Sequence, residues 1–263
     1  MRHLRRTTAA LVVALGASLL GGAAQAAQPV RARNGMVASQ SFIASQVGAD
    51  VLWDGGNATD AAIATAFALA VVHPTAGNLG GGGFLVSRAK DGSATTFDFR
   101  ETAPAAAKPE MFLKDGKYSA ELHHNSHVSV GVPGTVAGLY MAFQKQGSGK
   151  VTWRRLIDPA IVLAREGFIV TDGLARSLKG VLPDMKKYPA SLAQFSRNGT
   201  PYEMGDILRQ PELAKTLERI GKDLAKARKA GAEIAVVVGG GNILRGAELA
   251  TTGMPRATAD QMG

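Results

Sequence analysis

The chain contains no cysteine, so disulfides and thiolate metal sites are both excluded. It also lacks a basic stripe interleaved with aromatics. Its 30 lysines and arginines are scattered among 21 acids, and aromatics make up only 6% of the 263 residues. The formal charge of +9 therefore does not point to nucleic acid. Beyond residue 26 no apolar run is long enough to cross a bilayer. The glycine run Gly80–Gly83 lacks the Gly-Lys-Ser/Thr ending of a phosphate loop, and the next lysine is Lys90. It also follows an Ala-rich helical segment where a phosphate loop would follow a strand. These glycines need another explanation, because each loses more backbone freedom on folding than any other residue.

What is present reads as globular material, 46% hydrophobic and 19% charged, enough for one large domain or two small ones. The N-terminus has the three parts of a secretory signal: the basic "MRHLRR", the apolar Ala9–Leu20, and small residues at Ala24 and Ala26. Cleavage after Ala26 would remove Arg2, Arg5 and Arg6 and no acid, and would place the product outside the cytosol, in the periplasm or beyond. Next, "SQSFIASQVGADVLWDGG" predicts a helix with Phe42, Ile43, Val47, Val51 and Leu52 along one side, stopped by Gly55-Gly56. "NATDAAIATAFALAVVHP" predicts a buried helix, apolar all round, ending before Pro74. "FLVSRAKDGSATTFDFRE" predicts a hairpin turning at Asp91-Gly92, with Phe97 and Phe99 on one face and Thr96, Asp98 and Arg100 on the other. The glycines thus join a buried helix to a core strand and let backbone or ligand come close. In "ELHHNSHV", His123 and His127 have the i, i+4 spacing of a helical metal pair, but Asn125, Ser126 and the following "GVPG" favour surface-loop histidines.

Five collinear blocks, "GGNATDAAIATAFALAVVHP", "GNLGGGGF", "DFRETAP", "GVPGTVAGL" and "DPAIVLAREGF", resemble the large subunit of gamma-glutamyltransferase (glutathione hydrolase) from about residue 35 to 220. The resemblance implies an α/β fold, a partial N-terminal-nucleophile hydrolase αββα sandwich. It implies a precursor that cuts itself, and a small-subunit N-terminal threonine that attacks gamma-glutamyl amides such as glutathione. No cofactor is implied. In the family's "FRE" motif the arginine grips the glutamyl alpha-carboxylate, and that position is Arg100 here. A guanidinium fork suits a planar carboxylate, whereas an isolated arginine at a strand end is ordinarily just solvated. Asp98 and Glu101 are expected to orient or neutralise Arg100. The glycines are expected to pack beside the substrate pocket.

The nucleophile has no counterpart in these 263 residues. The family's small subunit opens with a Thr-Thr-His-like motif, whereas "ATTFDF" falls within the hairpin and "TTGMP" near the end in another context. A threonine activated by its own alpha-amine needs a chain break just before it. The small subunit's strands and oxyanion donors are missing too, so the chain is expected to hold a substrate without turning it over. After "QPELAKTLERIGKDLAKARKAG", read as one helix with Pro211 in its first turn and Gly231 as its stop, the sequence changes character. Residues 224–263 resemble a piece of bacterial uridylate kinase, of amino-acid-kinase type, by the strand–glycine arrangement "EIAVVVGGGNILRG". That resemblance places Gly240 and Asp260 against UMP, and Gly241 and Arg245 against ATP. The family's opening strand and phosphate-loop lysine are absent, so phosphoryl transfer is not expected. The organisation expected is a signal segment over 1–26, a transferase-like region over 27–222 and a kinase-like fragment over 223–263. Three readings stand: a gamma-glutamyl-binding fragment, a nucleotide-binding fragment, and a non-functional chimera.

Overall fold

A computed structural model describes residues 29–229, with side chains described to residue 222. Residues 29–35 form a unit apart, exposed and without helix or strand. The remainder is built around one apolar helix, α2 (Ala58–Val72), whose Ile63, Ala64, Phe67, Ala68 and Val71 are fully buried. A reciprocal cap starts it: Asn57 Oδ1 accepts from the Asp60 N–H, and Asp60 Oδ2 accepts from the Asn57 N–H, each at 3.0 Å.

Helix α1 (Phe42–Trp53) packs on α2 by the predicted face, with Val47 and Val51 buried and Ile43 and Leu52 packed against the core, and Phe42 is the exception. Its buried positions are Ala44, Val47, Gly48 and Val51, while Phe42 is 82% exposed. The small residues let the two backbones approach. A Cβ on Gly48 would meet Thr65 Oγ1, and Phe42 is excluded from a seam that close.

After α2 the chain makes the expected hairpin, β1 (Phe84–Arg88) with β2 (Ala94–Asp98), in the register Phe84↔Asp98 and Leu85↔Phe97. Gly92 takes a left-handed φ of 87° at the turn, as Asp91-Gly92 predicts. Phe97 is buried and Phe99 half-buried, while Thr96, Asp98 and Arg100 are exposed, as the alternation requires. A short antiparallel pair follows, β3 (Leu113–Lys114) with β4 (Lys117–Tyr118), and then a helical turn, α3 (Ala120–His124).

Helices α4 (Thr135–Gln146) and α5 (Trp153–Glu166) close over α2. Trp153 is their meeting point, with its ring 5.4 Å from Phe67 and 4.9 Å from Tyr140, both edge-on. The loop between α4 and α5 is tied to the start of α2: Asn57 Nδ2 donates to Gln146 O at 2.7 Å, and the Ser148 N–H donates to Asp60 Oδ2 at 3.0 Å. Strand β5 (Phe168–Ile169), helices α6 (Asp172–Met185) and α7 (Pro189–Phe195), and strand β6 (Ile207–Leu208) lead to α8 (Pro211–Lys229). Pro211 opens α8 as predicted, and Ala214, Leu217 and Ile220 seat it on α5. The Trp153 indole N–H donates to Ile220 O at 3.3 Å across that contact.

The described residues are thus a mixed fold of packed helices with three two-stranded β pairs. No described helix is long and apolar enough to cross a membrane. The N-terminal signal segment, Gly231 and the strand expected at 234–238 lie outside the described residues.

Candidate functional site

The four glycines sit where the sequence placed them, between α2 and β1, and their neighbours explain them. Gly83 continues the hairpin ladder, its carbonyl accepting from the Phe99 N–H at 3.1 Å. The Gly81 carbonyl accepts from the N–H groups of both Gly134 (2.9 Å) and Thr135 (3.1 Å), at the start of α4. Asn78 Oδ1 binds the Gly81 N–H at 3.1 Å and the Thr135 hydroxyl at 2.6 Å. A Cβ on Gly82 would stand 2.6 Å from the Glu101 nitrogen and 2.7 Å from Glu101 Oε2. Cβ atoms on Gly134 and Gly138 would run into the Phe99 carbonyl and the Phe99 ring, and one on Gly131 would stand 2.9 Å from Glu101 Cβ. Glycines from two separate stretches therefore surround the same short segment, Phe99–Glu101. Its continuation is bonded on the other side, through Thr102 and Val132 (2.8 Å and 3.3 Å).

That segment carries Arg100. The Arg100 backbone N–H donates to Asp98 Oδ1 at 3.0 Å, and its Nε donates to Glu101 Oε2 at 3.0 Å. Asp98 thus holds the Arg100 backbone, and Glu101 pairs with its side chain. The Arg100 side chain remains 69% exposed, and its two terminal amino groups make no hydrogen bond among the described residues. One edge of the fork is fixed and the other is open, which is the geometry that can receive a planar carboxylate.

Arg100 opens onto a cleft of about 560 Å³, within the size range of small-molecule sites. Gly80, Gly81, Glu101 and Thr102 form its floor, and Met111, Phe112 and Val130 supply an apolar wall. The wall was not legible in the sequence. It comes from irregular backbone after the hairpin, where Pro104 and Pro109 hold turns and a 3₁₀ turn spans Pro109–Phe112. Prolines bracketing an Ala-rich stretch were the available signal.

The histidines differ from the expected surface loop. His123 and His124 lie in the last turn of α3, half-buried, with His127 apart in a 3₁₀ turn. Tyr118 and α3 are close enough for the Tyr118 hydroxyl to contact His123 Nδ1 at 2.8 Å and His124 Nε2 at 3.2 Å. The His123 ring lies against Phe112, a cleft residue, with centroids 4.6 Å apart and the planes tilted by 41°. These rings back the cleft wall. The helix forms because Ser119 caps it, accepting from the Leu122 N–H at 3.2 Å. Gly240, Gly241, Arg245 and Asp260, the nucleotide-site residues expected from sequence, lie outside the described residues.

Comparison with known proteins places the chain among relatives. The family model for gamma-glutamyltranspeptidase matches residues 44–231. The glutathione hydrolase proenzyme of Escherichia coli is 50% identical over 200 residues, which take in 74% of this chain and 34% of that protein. A glutathione hydrolase proenzyme of Pseudomonas sp. (strain A14) is 42% identical over 255 residues, 95% of this chain and 44% of that protein. The crystal structure of Helicobacter pylori gamma-glutamyltranspeptidase superimposes with a TM-score of 0.71 at 41% identity, covering 76% of this chain and 57% of that one. The chain spans between a third and a half of the length of these two curated relatives. With most of its residues matched in sequence and in fold, the chain belongs to the gamma-glutamyltranspeptidase family.

Proposed function

We propose that the cleft at Arg100 binds the gamma-glutamyl end of a substrate, with the open edge of the guanidinium taking the alpha-carboxylate. The observation that carries this reading is the half-committed fork at the cleft: Nε is held by Glu101, and the terminal amino groups of the exposed side chain make no hydrogen bond among the described residues. Two relatives are named glutathione hydrolase proenzymes, so glutathione is the natural ligand to test. In this reading the described helices and hairpin form one part of an αββα sandwich. A threonine supplied by sequence outside these 263 residues attacks the gamma-glutamyl amide, and the product acts outside the cytosol. The chain holds the headgroup, and the partner subunit breaks the bond.

The test is to measure glutathione binding and glutamate release with the purified 263-residue chain. Binding that is lost in Arg100→Ala, with no glutamate released, supports the reading. Unaided release of glutamate would mean that a residue of this chain attacks the amide, and would overturn it. The nucleotide-binding reading rests on the sequence pattern of residues 224–263. Protection of that segment from proteolysis by UMP or ATP would support it.

A further inference from the structure

The cleft wall carries two cations, Arg100 and Lys108, against one acid, Glu101, which Arg100 already engages. Lys108 forms no ion pair among the described residues, and its side chain is exposed to the cleft. Its backbone is nonetheless held on both sides. The Ala107 N–H donates to Pro104 O at 2.8 Å, and Lys108 O accepts from the Met111 N–H at 3.1 Å. Pro109 follows and keeps Lys108 extended, at φ −132° and ψ 149°. A fixed root carrying a free ammonium is a point-charge receptor for an anion, less demanding in direction than the guanidinium fork.

We infer that Lys108 reads a second carboxylate of the same ligand whose first carboxylate meets Arg100. The inference rests on the gamma-glutamyl reading of the cleft and narrows its substrate class. Ligands with two carboxylates, such as gamma-glutamyl peptides with a free C-terminus, are preferred over gamma-glutamyl amides that have only one. A three-residue ligand reaches roughly 10 Å when extended, and a cleft of about 560 Å³ has room for it. Met111 and Phe112, on the same wall, give its middle part an apolar surface. Lys108 is a specificity-determining residue in this reading, and no proton or bond changes hands at it.

The experiment compares glutathione with glutathione whose C-terminal carboxylate is converted to a carboxamide, by titration calorimetry on the full chain. The unaltered chain should bind glutathione about two- to fivefold more tightly than the amide, as expected for one partly exposed ion pair. Lys108→Met should bind the two ligands equally, Lys108→Arg should keep the preference, and salt should shrink it. Thermal melting confirms that the exposed substitutions leave the fold intact. An unchanged preference in Lys108→Met, with binding of both ligands lost in Arg100→Met, overturns the Lys108 inference and leaves the Arg100 reading standing. If Arg100→Met binds glutathione as well as the unaltered chain does, or if that chain binds neither ligand, both fall.

Discussion

Replacing Gly138 by alanine sets two effects of opposite sign against each other. Gly138 lies inside α4, where glycine to alanine should gain about 0.5–1 kcal/mol from helix propensity. The added methyl, however, would occupy the space of the Phe99 ring, meeting its Cγ, Cβ and Cδ1. That ring has little room to retreat. Its far edge is 3.0 Å from where a Cβ on Gly83 would stand, and its backbone is bonded to Gly83 on the hairpin ladder. Overpacking of this kind costs typically 1–3 kcal/mol, so the steric term wins and the variant loses about 1–2 kcal/mol net. For a domain of this size that is a fall of roughly 2–8 °C in melting temperature. Gly180 supplies the control. It too is inside a helix, α6, but a Cβ there meets nothing within 4 Å. Gly180→Ala should therefore gain the full propensity term and raise the melting temperature by about 2–4 °C. Calorimetry on the two variants gives opposite signs if the packing argument is right. A Gly138→Ala chain as stable as the parent would show that Phe99 moves freely, and that the glycines do not set the position of Arg100.

Three further outcomes can be checked. Asp60→Ala removes the acceptor of two backbone N–H groups, those of Asn57 and Ser148, at a fully buried site, and should cost about 2–4 kcal/mol by urea unfolding. A loss under about 1 kcal/mol would show that the knot at the start of α2 is not needed. Burial holds the His73 imidazole below the usual histidine range, so the unfolded chain takes up a proton before the folded one does. Its contribution is complete above about pH 6.5 and is lost as pH falls below it, so His73→Gln should flatten the stability loss between about pH 7.5 and 5.5. Equal slopes for the two proteins would remove His73 as the cause. Arg100→Lys keeps the charge but loses the fork, and glutathione affinity should drop about tenfold, against near-complete loss in Arg100→Ala. Full retention by lysine would mean that the carboxylate is read as a point charge.

Much of this arrangement was legible because local pattern and tertiary outcome agree. The all-apolar run Ala58–Val72 had to be buried, Asp91-Gly92 had to turn a hairpin, and Pro211 had to open a helix. Alternation in β2 placed Arg100 and Phe99 on opposite faces correctly. The exclusion of Phe42 from the α1 seam was not legible, since its ring competes with Ala44 and Gly48, and closeness of backbones decides that contest. The sequence pattern shows only a loop for His123 and His124 because their partner, Tyr118, sits on a two-residue strand too short to carry a period. Gly138 inside "GVPGTVAGL" carried a usable signal, since a lone glycine in a helical pattern points to close packing.

The cap that begins α2 is completed by Ser148, and the carbonyl of Val71 near its other end receives the amide of Gln210 at 2.8 Å. Both ends of the central helix are thus finished by residues that leave the ribosome long after it does. Closing such wide loops comes late in folding, so an emerging chain would stay pliable until nearly all of the described fold had been synthesised.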